Sequence, residues 1–226
     1  MRVVKIIISC WPTFAQSATE GLRESLRVFA GTRCLEVLDT HDGMGKVPCY
    51  GFEHKDVRFI IVPSSHCYLS TSKNQGVNNF SGCERKTQPI TDCEAVIFVD
   101  SDHSFTPENI EALVNSPYDI TGAAYRYRQG PTDCFVAGTM RDDGYLTARL
   151  LAIETGVHRV DWVGGGFIAV KSTVFEQLEY PWFRRGVIDN GATAVELGED
   201  IGFCLQAKRA GIPVWVDCDC QVGHGQ

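Results

Sequence analysis

The sequence predicts an α/β fold: a central mixed, mostly parallel sheet flanked by helices, in one domain spanning residues 1–226. Three observations carry this reading. In the first half, β-branched apolar runs alternate with stretches of helical period, the pattern of strands joined by helices across a parallel sheet. In the second half, short strand-like segments follow one another with few helices, which makes the sheet mixed. The 226 residues are 44% apolar, and no linker, low-complexity tract or internal repeat divides them.

The elements follow in order. Val3–Ser9 is a β-branched run and reads as the first strand. Ser17–Phe29 has helical spacing, with Leu22, Leu26 and Phe29 on one face and Ser17 or Thr19 as its cap. Leu35–Leu38 is a short strand, and Asp39-Thr40-His41-Asp42-Gly43 after it is turn chemistry. Val57–Val62 is a third strand, and a polar helix is expected from Ser70 to about Arg85. Ala95–Val99 is a fourth strand. Pro107–Asn115 is a helix, with Thr106 as cap and Pro107 at its first position. Ile120–Tyr125, Phe135–Thr139, Leu146–Leu151 and Val160–Trp162 read as strands, with a hairpin turn at Asp142-Asp143-Gly144. Ser172–Leu178 and Asp200–Ala210 are helices, the second ended by Gly211, and Val214–Val216 is a last strand. Pro181–Leu197 is rich in Arg and Gly, has no period, and reads as a mobile loop.

Charge narrows the partners. Lys and Arg number 21 against 28 Asp and Glu, for a net charge of −7. Such a chain has no overall attraction for nucleic acid or an anionic membrane. No apolar run reaches the roughly 20 residues that span a bilayer. The first apolar run is broken by Lys5 and reads as a strand, not a signal peptide, so a cytoplasmic protein is expected. Ten cysteines are present, none in a C-x-x-C pair, which argues for buried reduced thiols over a zinc site. Cys218-x-Cys220 would put two thiols on one face of a strand.

The oddest segment is Val96-Ile97-Phe98-Val99-Asp100-Ser101-Asp102. A buried strand has no use for two carboxylates at its tip. In open parallel sheets, ligands bind beyond the carboxyl ends of strands. Two carboxylates two residues apart in extended chain point the same way and can share a hard divalent cation. Helix capping is the competing reading, but Thr106-Pro107 already supplies that cap. Gly198-Glu199-Asp200 opens a helix, where acidic residues are stabilising in themselves. A carboxylate held there is also placed to act as a general base. His224, in Val222-Gly223-His224, gains meaning only if the fold carries it to Asp102. Gly164-Gly165-Gly166 matches a dinucleotide fingerprint in part, but it comes late and precedes strand-like residues. These glycines read as room for a close approach.

In order along the chain, the set resembles a GT-A fold glycosyltransferase, similar to glycosyltransferase family 2. The resemblance rests on Lys73-Asn74-Gln75-Gly76, Val99-Asp100-Ser101-Asp102 (the D-x-D motif), Trp162-Val163-Gly164-Gly165-Gly166-Phe167, and Gly198-Glu199-Asp200 followed by Val222-Gly223-His224. It implies a Rossmann-like domain with a nucleotide-binding half, about 1–105, and a catalytic and acceptor half, about 106–226. It implies a sugar transferred from a nucleotide-diphospho-sugar, by default a uridine diphosphate sugar, to an acceptor hydroxyl. Asp102, His224 and Asp100 would hold Mn²⁺ or Mg²⁺. Cys10, Trp11, Pro12, Thr13, Asp39, Lys73, Asn74, Asp100 and Ser101 would lie at the nucleotide. Trp162, Gly164, Gly165 and Gly166 would shape the donor-sugar and acceptor pocket, with Arg184 and Arg185 folding over the diphosphate. Asp200, beside Glu199, would take the acceptor proton and give inversion; if Asp200 only caps its helix, retention stays open. The turn at Asp39 departs from the family's usual acidic, Ser-containing form. The chain stops two residues after His224, as a minimal catalytic core, or a core detached from something longer, would.

Two alternatives stand beside this. A nucleotidyltransferase acting on a sugar phosphate would carry a Gly-rich basic loop after the first strand, where Cys10-Trp11-Pro12-Thr13 stands instead. A non-catalytic nucleotide-sugar-binding module would not need both acidic pairs. The acceptor (a glycan, a protein, a small molecule or a modified nucleobase) has no signature in the sequence.

Overall fold

The structure is a computed structural model. It describes residues 1–10, 25, 28–29, 36–42, 45–65, 69–78, 93–127, 135–141, 146–148, 155–189, 191 and 194–224. The strands are β1 (Arg2–Cys10), β2 (Glu36–Asp42), β3 (Gly45–His54), β4 (Val57–Ser65), β5 (Ala95–Asp100), β6 (His103–Ser104), β7 (Ile120–Ala124), β8 (Ala137–Met140), β9 (Leu146–Ala148), β10 (Val157–Val160), β11 (Trp162–Val163), β12 (Phe167–Lys171), β13 (Gly186–Asp189), β14 (Ala194–Leu197), β15 (Val214–Gln221) and β16 (Gly223–His224). The helices are α1 (Leu69–Asn78), α2 (Pro107–Val114), α3 (Ser172–Gln177) and α4 (Glu199–Arg209).

Nine strands form one mixed sheet in the order β10-β15-β7-β12-β5-β1-β4-β3-β2. β1 runs parallel to β4 on one side and to β5 on the other, and β15 runs parallel to β7. β12 is antiparallel to both of its neighbours, β5 and β7. The interior strands are covered on both faces, so β5 is apolar on consecutive residues, Ala95 to Val99, all buried. One face packs Ile7, Phe98, Ile168 and Val216 against Val77 of α1, Phe175 of α3 and Phe203 of α4. The other packs Ile6, Val99 and Phe167 against Ile110 and Leu113 of α2 and against Phe29.

Several expectations hold in outline. β1, β4, β5, β7 and the four helices fall where apolar runs and caps put them. Pro107 opens α2, and the Asn109 side chain accepts the Thr106 N–H at 2.8 Å. Only Ser25, Val28 and Phe29 of the expected 17–29 helix are described, all helical. The Asp142–Gly144 turn and the helical stretch expected beyond Asn78 lie outside the described residues.

Five expectations are corrected. The large sheet is mixed but not mostly parallel: three of its eight strand pairs are parallel and five antiparallel. Asp39–Asp42 is not a turn but continues β2, paired with Gly45–Pro48 of β3. Val160 and Trp162 do not share a strand: β10 joins the large sheet and β11 joins a small one, β11-β8-β9. The 181–197 stretch is not patternless, because β13 and β14 form an antiparallel ribbon within it. Cys218 and Cys220 do not share a face. β15 is in register with β7 at Asp217↔Ala123 and resumes at Gln221↔Ala124, so three residues bulge out. The Asp217 carboxylate accepts the freed N–H groups of Asp219 and Cys220, at 3.0 and 3.2 Å. Cys218 therefore enters one core layer and Cys220 the other.

Candidate functional site

Two parallel strands set the site. β1 is followed in space by β4 to one side and β5 to the other, so the strand order reverses at β1. A crevice forms at the carboxyl ends on either side of such a reversal. Ser9 and Asp100 lie there opposite one another, and the Ser101 N–H donates to the Ser9 carbonyl at 3.1 Å. The side-chain oxygens of Ser9 and Ser101 and Oδ1 of Asp100 are buried with no hydrogen-bond partner among the described residues. Buried polar atoms are seldom left so.

The two aspartates of the D-x-D stretch go separate ways. The chain leaves the extended form after Asp100 and turns at Ser101-Asp102, which breaks the alternation that would have aimed them together. Asp100 stays on the α1/α4 side, where the Lys73 ammonium stands 3.7 Å from its Oδ1, beyond hydrogen-bond distance. Asp102 swings to the other side. Its Oδ1 lies 3.1 Å from His103 Nδ1 and its Oδ2 lies 3.2 Å from His224 Nε2. The ligand atoms of Asp102, His103 and His224 all fall within 4.8 Å of one another, and Asp100 is not in the group.

His224 reaches this place by pairing β16 with β6, with His224 opposite His103. The two imidazoles stack with centroids 4.6 Å apart, and Tyr125 meets His103 edge-on at 4.6 Å. His224 Nδ1 sits 2.8 Å from the Arg126 carbonyl, so Nδ1 donates there and Nε2 is the nitrogen turned toward Asp102. At 3.2 Å from a carboxylate oxygen, Nε2 either carries a proton or shares a cation with it. An imidazole and carboxylate set suits a first-row transition ion such as Mn²⁺ better than Mg²⁺, which prefers oxygen. His103 is buried, which holds its pKa down at about 4 and keeps it neutral. Its Nε2 has no partner among the described residues.

The other half of the site is acidic. Glu199 and Asp200 occupy the first turn of α4, where the helix dipole favours them. Asp200 Oδ2 accepts the Gly165 N–H at 3.3 Å and Oδ1 accepts the Ile201 N–H at 2.8 Å. Burial and the neighbouring Glu199 hold the Asp200 carboxyl above its ordinary range, against the pull of Lys73 and the two N–H groups. Lys73 is 1% exposed, and its ammonium lies 3.4 Å from Glu199 Oε1. Burial alone would lower its pKa, but Asp100, Glu199 and Asp200 raise it.

The three glycines before β12 are obligatory for this crowding. A Cβ on Gly164 would strike the Tyr125 hydroxyl and one on Gly166 would strike the His103 ring. One on Gly165 would stand 2.6 Å from the Lys73 ammonium and 3.1 Å from Asp200 Cβ. They admit side chains of the protein itself to the strand end. Burial drives the Tyr125 hydroxyl well above its ordinary pKa, and its oxygen accepts the Gly166 N–H at 3.0 Å.

The remaining expected residues are dispersed. Cys10 ends β1 and Asp39 lies within β2, opposite Pro48; the side chains of both lie outside the described set. Trp11, Pro12 and Thr13 lie outside the described residues. Asn74 is engaged by the protein: its Nδ2 donates to the carbonyls of Ser70 and Phe183 at 2.8 and 2.7 Å, and its Oδ1 accepts the Phe183 N–H at 3.0 Å. Trp162 is 2% exposed and belongs to the core. Arg184 and Arg185 pair with Glu179 and Glu196 at 3.6 and 3.0 Å. His103, Tyr125 and Ser9 are the residues that sequence reasoning missed. An imidazole directly after Asp102 was the available signal for the first. Nothing in the sequence marked the other two.

Fold and site together define a mixed α/β protein whose polar side chains converge beyond the carboxyl ends of adjacent parallel strands. No protein-family model matches the chain, and no curated protein matches it in sequence. Among solved structures it is similar to the crystal structure of A197 from STIV, at 14% identity, with a TM-score of 0.49, over 96% of this chain and 82% of that one. A likeness at that level carries no functional argument.

Proposed function

We propose that the chain is a metal-dependent glycosyltransferase, with a Rossmann-like, GT-A-like domain, that moves a sugar from a nucleotide-diphospho-sugar to an acceptor hydroxyl. The observation that carries this reading is the cluster of Asp102, His103 and His224, whose ligand atoms lie within 4.8 Å of one another beside the carboxyl ends of β1 and β5. Asp102 and His224 hold the divalent ion, with His103 against them. When bound, the ion supplies Lewis-acid stabilisation of the charge that develops on the departing diphosphate.

The chain's own residues do the rest. Asp100, whose side chain is 20% exposed, stands on the nucleotide side of the donor, with Ser9 and Ser101 buried behind it. Asp200, in its ionised form and with its pKa raised by burial, takes the acceptor's hydroxyl proton as the acceptor oxygen bonds to the anomeric carbon. The bond from that carbon to the diphosphate oxygen breaks, and its electron pair leaves with the nucleoside diphosphate. One displacement of this kind inverts the anomeric centre. Holding both reactants in place contributes on the order of 7–11 kcal/mol in favourable systems.

The test is incubation with a panel of nucleotide sugars and Mn²⁺, scored by released nucleoside diphosphate. Metal-dependent release is expected, with a uridine donor preferred, and Asp102→Ala is expected to bring it to background. Release that is indifferent to chelator and to Asp102→Ala would sink the metal assignment, and no release from any donor would sink the transferase reading.

A further inference from the structure

The resemblance that suggested a transferase would put Lys73 on the donor nucleotide, but its side chain is 1% exposed. It is buried behind the acidic residues, in a helix that carries no other charged residue. Resting on the proposed function, we propose that Lys73 is a positioning residue for the general base: its ammonium ties the carboxyl end of β5 to the first turn of α4 and sets where Glu199 and Asp200 stand.

The geometry supports this from three directions. Nζ lies between Asp100 Oδ1 of β5, at 3.7 Å, and Glu199 Oε1 of α4, at 3.4 Å. It stands 5.8 Å from the centroid of the Phe183 ring. Below it is the Cα of Gly165, where any Cβ would come within 2.6 Å of the ammonium, and the N–H of that same glycine donates to Asp200. Gly165 therefore contacts both members of the pair, and only a residue without a side chain leaves Lys73 its place.

The charges explain why the tie matters. Three carboxylates, Asp100, Glu199 and Asp200, surround one buried ammonium, so the group is net negative even with Lys73 present. The other titratable groups near the cluster are His103, Tyr125 and the Cys204 thiol, and burial holds all three in their uncharged forms. Among the described residues Lys73 is the cation at this spot. A lysine is almost never fully buried unless paired. Without it, carboxylates repel at short range in a poorly screened site, and the first turn of α4 has nothing to hold it to β5. A lysine that gripped a donor phosphate would need an open path to it, which an ammonium 1% exposed does not have.

The experiment compares Lys73→Met, Lys73→Arg and Gly165→Ala with wild type. Nucleoside diphosphate release with Mn²⁺ is followed across pH, and UDP affinity is measured separately by titration. Lys73→Met is expected to lower kcat by about 10- to 100-fold, within the usual reach of a misplaced general base, while the UDP Kd changes by less than about threefold. The acid limb of its pH profile is expected to move to higher pH. Lys73→Arg should return most of kcat and the limb. Gly165→Ala, which displaces the ammonium without removing its charge, should move the limb in the same direction. A loss confined to UDP affinity with the limb unmoved would overturn the proposal, because the ammonium would then be a donor ligand. Wild-type kcat and limb in Lys73→Met would overturn it equally. If Lys73→Met does not fold, Lys73→Arg and Gly165→Ala carry the test.

A second arm needs no activity. In a urea-denaturation cycle of Lys73→Met with Glu199→Gln, the double variant should lose less stability than the two single losses added. Strict additivity would refute the tie. Wild type that releases no nucleoside diphosphate would refute the transferase reading and leave this cycle standing.

Discussion

Asn74→Ala should unfold more easily by several kcal/mol, and the reason is two hydrogen bonds to one residue. The Asn74 amide accepts the Phe183 N–H at 3.0 Å and donates to the Phe183 carbonyl at 2.7 Å, so it pairs with both backbone groups of Phe183 as a neighbouring strand would. Asn74 is 5% exposed and Phe183 is 1% exposed, so water does not replace the amide. Leaving a buried donor or acceptor unmet costs about 1–3 kcal/mol each. Two such groups, less the desolvation that alanine is spared, give a net loss of about 3 kcal/mol. At about 2–4 °C per kcal/mol for a chain of this length, the melting temperature should fall by about 6–12 °C. Urea unfolding followed by tryptophan fluorescence measures it directly, with the midpoint lowered and the slope kept. A loss under about 1 kcal/mol with an unchanged slope would refute the reasoning, since it would mean that the Phe183 groups find other partners.

Three further outcomes follow from the same structure. Cys204 and Cys220, whose thiols burial pushes up to about 12, should resist a thiol reagent at mildly alkaline pH in the native state and react fully in denaturant; fast native labelling would contradict the packing. Gly166→Ala should disturb the His103 ring and cost about 1–3 kcal/mol by overpacking, together with the Mn²⁺-induced rise in melting temperature; an unchanged Mn²⁺ shift would refute the crowding. At Asp161, burial pushes the carboxyl up, but the Met140 N–H at 2.7 Å, Lys208 at 3.0 Å and Arg159 hold it below its ordinary value. Its contribution is therefore complete above the usual carboxylate range and lost as pH falls through the lowered value. Asp161→Asn should thus differ from wild type by up to about 1 kcal/mol near neutrality and converge with it in acid; a gap that widens in acid would reverse the sign.

The strands that were legible from the sequence are those buried on both faces. β5 has an unbroken apolar run and β1 one interrupted only by Lys5, because both are covered on both faces. α2 and α4 were legible from their ends, Thr106-Pro107 and Glu199-Asp200. β3 was hidden because Gly45, Lys46, Pro48 and Gly51 interrupt any alternation. β13 and β14 were hidden because four-residue strands cannot be told from loops by period. Within the site, the acidic residues stood out because carboxylates at strand and helix ends are unusual. His103 did not, because the alternation assumed for Asp100 and Asp102 ended one residue too early to show where the turn would carry the imidazole. Lys73 and Asn74 were singled out by the resemblance; the structure buries both, Lys73 among carboxylates and Asn74 on the Phe183 backbone.

The bulge in β15 has a consequence for how this protein can change over time. It is a length of chain whose residue count sets where the next strand begins. Asp219 at its crest is exposed, and Gly223 and His224 begin only two residues after β15 ends. Removing one residue between Asp217 and Gln221 would draw His224 back by about 3.3 Å, one strand step. That step is as long as the 3.2 Å now separating its Nε2 from Asp102. A substitution at Asp219 would cost the bond from the Gly156 N–H, whereas a single deletion would pull the imidazole out of reach while leaving every other strand of the sheet in register.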